Sequence, residues 1–437
     1  MNVCVFGLWH LGTVTAACLA AAGHQVVGLD FDREIVQRLR QGHPPVFEPG
    51  LEELVKKGLE KERLLFTDNI SDAVKDAEIV WVTYDTPVDD EDQANVEYVV
   101  ERVMRLYPYL PDGTLVLVSS QLPVGTTKRM EQAYLKLHPE VSSLDKQPIT
   151  FGYSPENLRL GIAINVFTCP DRVVVGLRCE DDRQRVISLF QPFTDCIEWM
   201  SVESAEMTKH AINAFLATSI VFINELAILC EQSGADAKEV ERGLKSDMRI
   251  GSRAYLSPGI AFAGGTLARD VTFLQKLGCI NQQPTNLFSA VQESNNAHKQ
   301  WISRKLLAIF GKLKGKRIAI WGLTYKPGTD TLRRSASIEL CLWMINQGVY
   351  VQAHDPAVRD LPEGLAQKIN LYTTPDAALE NTDALIVATG WQDYKSLSAD
   401  VIVSAMPTPL VIDPARFLMD TLGKDVRIQY VTIGKGI

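Results

Sequence analysis

Short apolar runs alternate with helical periodicity over the first ~200 residues. Val3–Phe6, Gln25–Leu29, Ile79–Thr83 and Thr114–Ser119 are runs without a polar face, bounded by turn residues. Runs of this kind read as buried strands of a parallel sheet, and the amphipathic stretches between them as crossover helices. Over 202–232 the pattern changes. Met207, Ala211, Phe215, Ile223, Leu226 and Leu229 recur at helical steps and predict one long amphipathic helix. It exceeds what a single βαβ unit needs, so it reads as a link between domains and a surface for self-association. A third block opens near Lys316, with strands at Arg317–Trp321, Tyr350–His354 and Ala384–Ala388.

Composition narrows the class. At 437 residues the chain is long enough for two or three domains with full cores. With 46% hydrophobic and 22% charged residues it has the balance of a globular protein. The net charge of −9, without a basic run, argues against a nucleic-acid partner. No apolar stretch approaches the ~20 residues of a membrane span, and the N-terminus enters a strand directly, without a signal-peptide pattern. The eight cysteines are scattered singly, with no metal-ligand spacing. The expectation is a cytoplasmic protein without disulfides, metal or membrane contact.

Candidate chemistry begins at the first strand. Gly7-Leu8-Trp9-His10-Leu11-Gly12 follows it and opens a helix, and Asp30 ends the second strand about twenty residues later. This is the context of a dinucleotide fingerprint: pyrophosphate on the helix N-terminus, acid on the adenosine ribose. Asp30 favours NAD over NADP, because a carboxylate repels a 2′-phosphate. Gly7, Trp9, Leu11, Gly12 and Asp30 are therefore candidate cofactor residues. Trp9 stands where the fingerprint has glycine. Either its side chain turns away into core packing and NAD binds normally, or the cofactor is weakened, re-posed or absent.

Residues 258–270 read Pro-Gly-Ile-Ala-Phe-Ala-Gly-Gly-Thr-Leu-Ala-Arg-Asp. This stretch resembles the catalytic loop of the UDP-glucose/GDP-mannose dehydrogenase family, P-G-x-x-F-G-G-S-C-L-P-K-D, and places Thr266 at the family's cysteine nucleophile. Further segments carry the resemblance in order: Glu48-Pro49-Gly50-Leu51, Thr86-Pro87, Ser120-Gln121-Leu122-Pro123, Ser154-Pro155-Glu156-Asn157-Leu158-Arg159, Glu206 with Lys209 and Asn213, Asp247-Met248-Arg249, Gly322-Leu323-Thr324-Tyr325-Lys326-Pro327 with Asp330 and Arg333, and His354-Asp355-Pro356. The resemblance implies an α/β protein of two Rossmann-like doubly wound domains joined by a long central helix in an all-α dimerisation domain. Its parts would be an NAD-binding domain at 1–200, a helical dimerisation domain with the catalytic loop at 201–312, and a nucleotide-sugar-binding domain at 313–437. The implied partners are a UDP- or GDP-sugar and a second copy of the chain, with the sugar in the cleft over the central helix. Lys209, Asn213, Asp270, Glu156 and Thr266 fall on catalytic positions. Glu156, Lys209, Asn213, Arg249, Gly264, Gly265 and Lys326 fall on substrate contacts. Thr86, Pro87, Gln121 and Arg333 join the cofactor contacts. Before its Thr-Pro the family has a small apolar residue and glycine; here stand Tyr84 and Asp85.

In the family a primary alcohol is oxidised twice, through an aldehyde, a cysteine thiohemiacetal and a thioester that water hydrolyses. A thiolate is a strong nucleophile and a good leaving group near neutral pH; the Thr266 hydroxyl is neither. Leu160 replaces a glutamate tied to hydrolysis, and Gln121 a water-positioning threonine. Lys209, Asn213 and Asp270, tied to alcohol oxidation and sugar binding, remain. Three readings stay open: an oxidoreductase limited to two-electron chemistry, a four-electron dehydrogenase working through a hydrated aldehyde, and a non-catalytic nucleotide-sugar-binding relative.

Overall fold

The computed structural model describes residues 1–87, 89, 94–139, 149–156, 158–263, 265–333 and 335–436. They form two compact units, Met1–Ile212 and Asn213–Ile437. The first holds β1 (Asn2–Phe6), β2 (Gln25–Leu29), β3 (Leu64–Thr67), β4 (Ile79–Val82), β5 (Leu115–Val118), β6 (Thr150–Tyr153), β7 (Val173–Leu177) and β8 (Ile197–Met200). They make one sheet in the order β3-β2-β1-β4-β5-β6-β7-β8. Side chains alternate across it. Val3, Val5, Ile79, Trp81, Leu115 and Leu117 pack into a core on one face. Cys4, Phe6, Val80, Val82, Val116 and Val118 pack into a core on the other. Both faces are covered, which is why these strands read as unbroken apolar runs. The β6–β7 pair is antiparallel, an exception that the apolar runs do not announce.

The second unit holds β9 (Arg317–Trp321), β10 (Tyr350–His354), β11 (Ile369–Leu371), β12 (Ala384–Val387), β13 (Leu410–Ile412) and β14 (Gln429–Val431). This sheet is parallel throughout, in the order β11-β10-β9-β12-β13-β14. Its first four strands by position repeat the arrangement of β3-β2-β1-β4, and one turn repeats in detail. Gly7 and Gly322 follow β1 and β9 with φ of 102° and 92°, a region open to glycine. Their N–H groups donate to Leu29 O and His354 O, the last residues of β2 and β10. The next residues, Leu8 and Leu323, donate N–H to the carboxylates of Asp30 and Asp355. The two blocks are structural echoes, although their sequences do not show it.

The predicted long helix spans Val202–Ser233. Its apolar stripe, read from the sequence as one face, divides in the structure. Ile223 is buried, whereas Phe215 and Leu229 are 71% and 64% exposed, in line with exposed Phe222. The expectation that no apolar stretch reaches membrane-span length is corrected here: this helix is long and apolar enough by length and composition. It also carries buried Glu206, Lys209, Asn213 and Asn224, each hydrogen-bonded, as suits the core helix of a globular unit. Glu206 accepts N–H from Gly125 (2.6 Å) and Thr127 (2.9 Å) and the Thr127 hydroxyl (2.6 Å). Gly125 caps the helix Thr126–Leu137, so the carboxylate sits on that helix's positive end.

Candidate active site

The cofactor end of the first unit is built on the β1 turn. Gly12 is packed so closely that a Cβ there would lie 1.7 Å from Gly7 O, so the fingerprint's last glycine holds the first helix against the turn. That helix, His10–Ala21, has no side-chain cap and no acid in its first turn, leaving its N–H groups to an anion. Trp9 is the cap residue, and its side chain is 47% exposed. It is therefore not core packing, which removes the first of the two sequence readings in the form stated. Asp30 is buried and accepts from Leu8 N (2.6 Å), Asp32 N (3.0 Å) and the Tyr84 hydroxyl (3.2 Å). Thr86 is buried and donates its hydroxyl to Gln121 O at 2.7 Å, which ties the two predicted loops together. Leu11 is buried; Pro87 and Asp85 are exposed.

Glu48, in a motif singled out for resemblance alone, is a brace. It is buried and accepts from Gly161 N and Ala163 N, both at 2.8 Å, and it pairs with His10 Nε2 at 3.0 Å. It thereby fixes the segment after Leu158 to the fingerprint loop. Lys209 is brought to Glu156: its ammonium donates to Glu156 O at 2.5 Å and lies 3.8 Å from Oε1. Asn157 lies outside the described residues.

In the second unit, Asn213 donates its side-chain amide to the Asp270 carboxylate, and both are buried. The loop before Asp270 is pinned by groups that sequence reasoning missed. Asn295 pairs with both the N–H (3.0 Å) and the C=O (2.9 Å) of Phe262. Asn224 accepts from Gly259 N at 2.9 Å and donates to Ile260 O at 3.4 Å. His298 Nε2–H donates to Gly259 O at 2.8 Å. Gly265 takes φ 110° and caps the helix Thr266–Ile280, which puts exposed Thr266 on its first turn. A thiolate there would gain from the helix dipole; a hydroxyl of ordinary acidity does not ionise for it. Gly264 lies outside the described residues. A pocket of about 110 Å³ lies against Ile260, Phe262, His298 and Ser337. A larger one, about 1130 Å³, opens at the C-terminal ends of β10 and β11 beside His354, Arg359 and Thr373.

Arg249 is exposed and forms a two-point pair with Asp247, at 3.1 and 2.7 Å. Lys326 and exposed Arg333 stand on the loop after β9.

Family comparison agrees with this layout. Three models of the UDP-glucose/GDP-mannose dehydrogenase family match the chain: the NAD binding domain over 1–194, the central domain over 203–297 and the UDP binding domain over 319–420. A UDP-glucose 6-dehydrogenase of Pseudomonas aeruginosa is 33% identical over 100% of this chain and 98% of its own. The chain belongs to the UDP-glucose/GDP-mannose dehydrogenase family. A second relative, the UDP-glucose 6-dehydrogenase of Rhizobium meliloti, is 32% identical with both chains fully covered. The solved UDP-glucose dehydrogenase of Pyrobaculum islandicum superposes with a TM-score of 0.85 at 28% identity, covering 99% of this chain and 97% of that one. The family is one of NAD-dependent nucleotide-sugar dehydrogenases, so the chain is an oxidoreductase of that class with NAD as its cofactor. The uncapped helix N-terminus and the close-packed glycines fit the dinucleotide, and Asp30 is already partly engaged within the chain.

Burial lowers the His298 pKa from its ordinary value, an effect that Arg304 reinforces and Glu231 and the Gly259 carbonyl oppose. The folded state therefore takes a proton later than the unfolded state, whose histidine titrates near ~6.5. The stabilisation by neutral His298 is complete above ~6.5 and is lost as pH falls from there through the lowered folded value. Melting temperature should drop between pH 7 and pH 5, and His298→Gln should flatten that drop. An unchanged slope in the variant would show that His298 takes up its proton alike in the folded and unfolded states.

Proposed function

We propose that this enzyme oxidises a nucleotide sugar by one two-electron step, giving an aldehyde or keto sugar and releasing it unhydrolysed. The observation that carries the reading is Thr266, a threonine at the head of the helix Thr266–Ile280, where the resemblance of the loop to the family's pattern would put the cysteine. The buried Asn213–Asp270 pair and the buried Lys209 beside Glu156 support a retained alcohol-binding apparatus. NAD, when bound, supplies the hydride acceptor. The residues around the alcohol would orient its oxygen through Lys209 and the Asn213 amide, and Asp270 would hold that amide in place. One C–H bond breaks with its electron pair leaving as hydride, and the hydroxyl proton leaves to a protein base or water. Without a thiol no acyl-enzyme forms, and Leu160 and Gln121 supply no carboxylate or hydroxyl to steer a hydrolytic water.

Lys326 and Arg333 are proposed contacts to nucleotide or cofactor phosphates, and Arg249 and the 264–265 backbone to the sugar nucleotide. The division at 1–200, 201–312 and 313–437 is retained as the functional one. All eight cysteines are unpaired, which supports a reducing, cytoplasmic setting. A homodimer is proposed along the Val202–Ser233 helix, where Phe215, Phe222 and Leu229 form an exposed apolar line at seven-residue steps. Light scattering should give twice the chain mass, and Phe215→Glu with Leu229→Glu should give the monomer; a monomeric native protein would exclude the dimer.

With its preferred UDP- or GDP-sugar the protein should form about one NADH per sugar. Thr266→Cys alone should restore little acid, whereas Thr266→Cys with Leu160→Glu and Gln121→Thr is the fuller reversion. Two NADH per sugar from the native protein would return it to the four-electron reading. Tight sugar binding with no NADH would favour a non-catalytic role, a reading to which exposed Trp9 and the engaged Asp30 lend weight.

A further inference from the structure

Tyr84 stands between the first glycine of the fingerprint and its acid. Its side chain is 6% exposed. The ring packs edge-on against Phe6 at 4.8 Å and lies so near Gly7 that a Cβ there would meet it at 2.8 Å. Tyr98 crosses it at 6.0 Å, and the Arg102 guanidinium lies over the Tyr98 ring at 3.4 Å, closing the far side. The hydroxyl reaches Asp30 Oδ1, 3.2 Å away. Burial and the Asp30 carboxylate raise the phenol pKa, so the group keeps its proton and donates.

An ionised carboxylate offers about four acceptor positions. On Asp30, Leu8 N–H takes one on Oδ2, while Asp32 N–H and the Tyr84 hydroxyl take those on Oδ1. Among the described residues, these donors leave one position on Oδ2. Two-point recognition of a ribose diol needs two. The second unit shows the end point of the same arrangement. There Trp391 Nε1–H reaches Asp355 at 3.2 Å from the segment after β12, as Tyr84 reaches Asp30 from the segment after β4. Leu323 N, Thr324 N, the Thr324 hydroxyl and Ala357 N donate to the same carboxylate. Asp355 thus takes five donors from within the chain, four of them on Oδ2, whereas Asp30 takes three. The Tyr84 bond is long for O–H···O, hence weak enough to be removed without loss of the ring's packing.

We propose that the Tyr84 hydroxyl occupies a ribose-hydroxyl position on Asp30, so that this chain holds the adenosine ribose of NAD through one hydroxyl and not two. Tyr84 is then a specificity-determining residue that relaxes recognition of the adenosine half. The inference rests on NAD as the cofactor and not on the chemistry at Thr266. Binding can be read by titration calorimetry without turnover, so a failed product assay leaves the test intact.

The probes are NAD and its analogues lacking the 2′- or the 3′-hydroxyl of the adenosine ribose. For the native protein, at least one analogue should bind within about 2-fold of NAD. Tyr84→Phe should tighten NAD by about 3- to 10-fold, the worth of one hydrogen bond, and should make both analogues weaker than NAD by a similar factor. Binding of NAD by Tyr84→Phe but not by the native chain would support the proposal equally. Native protein that loses about 10-fold or more with each analogue would overturn it. So would a Tyr84→Phe variant that binds NAD no better than native, since Tyr84 would then be a brace that orients Asp30; binding by neither protein has the same consequence. If the variant does not fold, the native analogue comparison decides alone.

Discussion

The turn after the first strand of each sheet sets the rest of the molecule. A glycine with positive φ lets the chain leave the strand and donate its N–H to the end of the neighbouring strand, and an aspartate there takes the next N–H. Any side chain at Gly7 would collide with Tyr84, and any at Gly322 with Thr389. With the turn held, the carboxyl ends of the parallel strands form the crevice where doubly wound sheets take ligands. The two units use the same turn differently. In the second, five donors from within the chain meet the aspartate, which serves the fold. In the first, Leu8, Asp32 and Tyr84 engage it and, among the described residues, leave one acceptor position on Oδ2.

The catalytic loop depends on a second kind of constraint. Backbone groups of 259–262 are met by side chains from two helices: Asn224 on the long helix, and Asn295 and His298 on Asn286–Lys299. A loop without a sheet to bond to needs such partners, because buried backbone groups left unpaired cost about 1–3 kcal/mol each. The same pinning fixes where the helix Thr266–Ile280 begins, and so what its first side chain can do. The positive end of a helix would favour a thiolate; for a threonine it offers only a hydrogen-bonding hydroxyl.

Much of this was legible in the chain. The seven strands read from apolar runs all form, because burial on both faces leaves an unbroken hydrophobic signal. The long helix runs within a residue or so of its predicted span. Shorter strands such as β11, β13 and β14, three residues each, give too little pattern to read. Reversal of β7 is a matter of chain direction, which composition does not encode. Glu48, Glu206, Asn224, Asn295 and His298 were missed as anchors because each bonds backbone far away in sequence, as with Glu206 and Gly125, 81 residues apart. Tyr84 was legible as a departure from the family pattern, but its meaning was not. The structure shows Asp85 exposed and the Tyr84 hydroxyl on Asp30. The split face of the long helix was equally hidden, since periodicity cannot say which apolar residues find partners within one chain.

The central claim is that oxidation stops after one hydride. Isotope retention tests it most directly. A nucleotide sugar carrying two deuterons on its primary carbinol carbon would be incubated with NAD and the native enzyme, and the product read by mass spectrometry. A single oxidation removes at most one of the two deuterons, so the account predicts an aldehyde or keto sugar that retains at least one. A carboxylate product with neither deuteron would mean that both hydrides left the same carbon, and would contradict it.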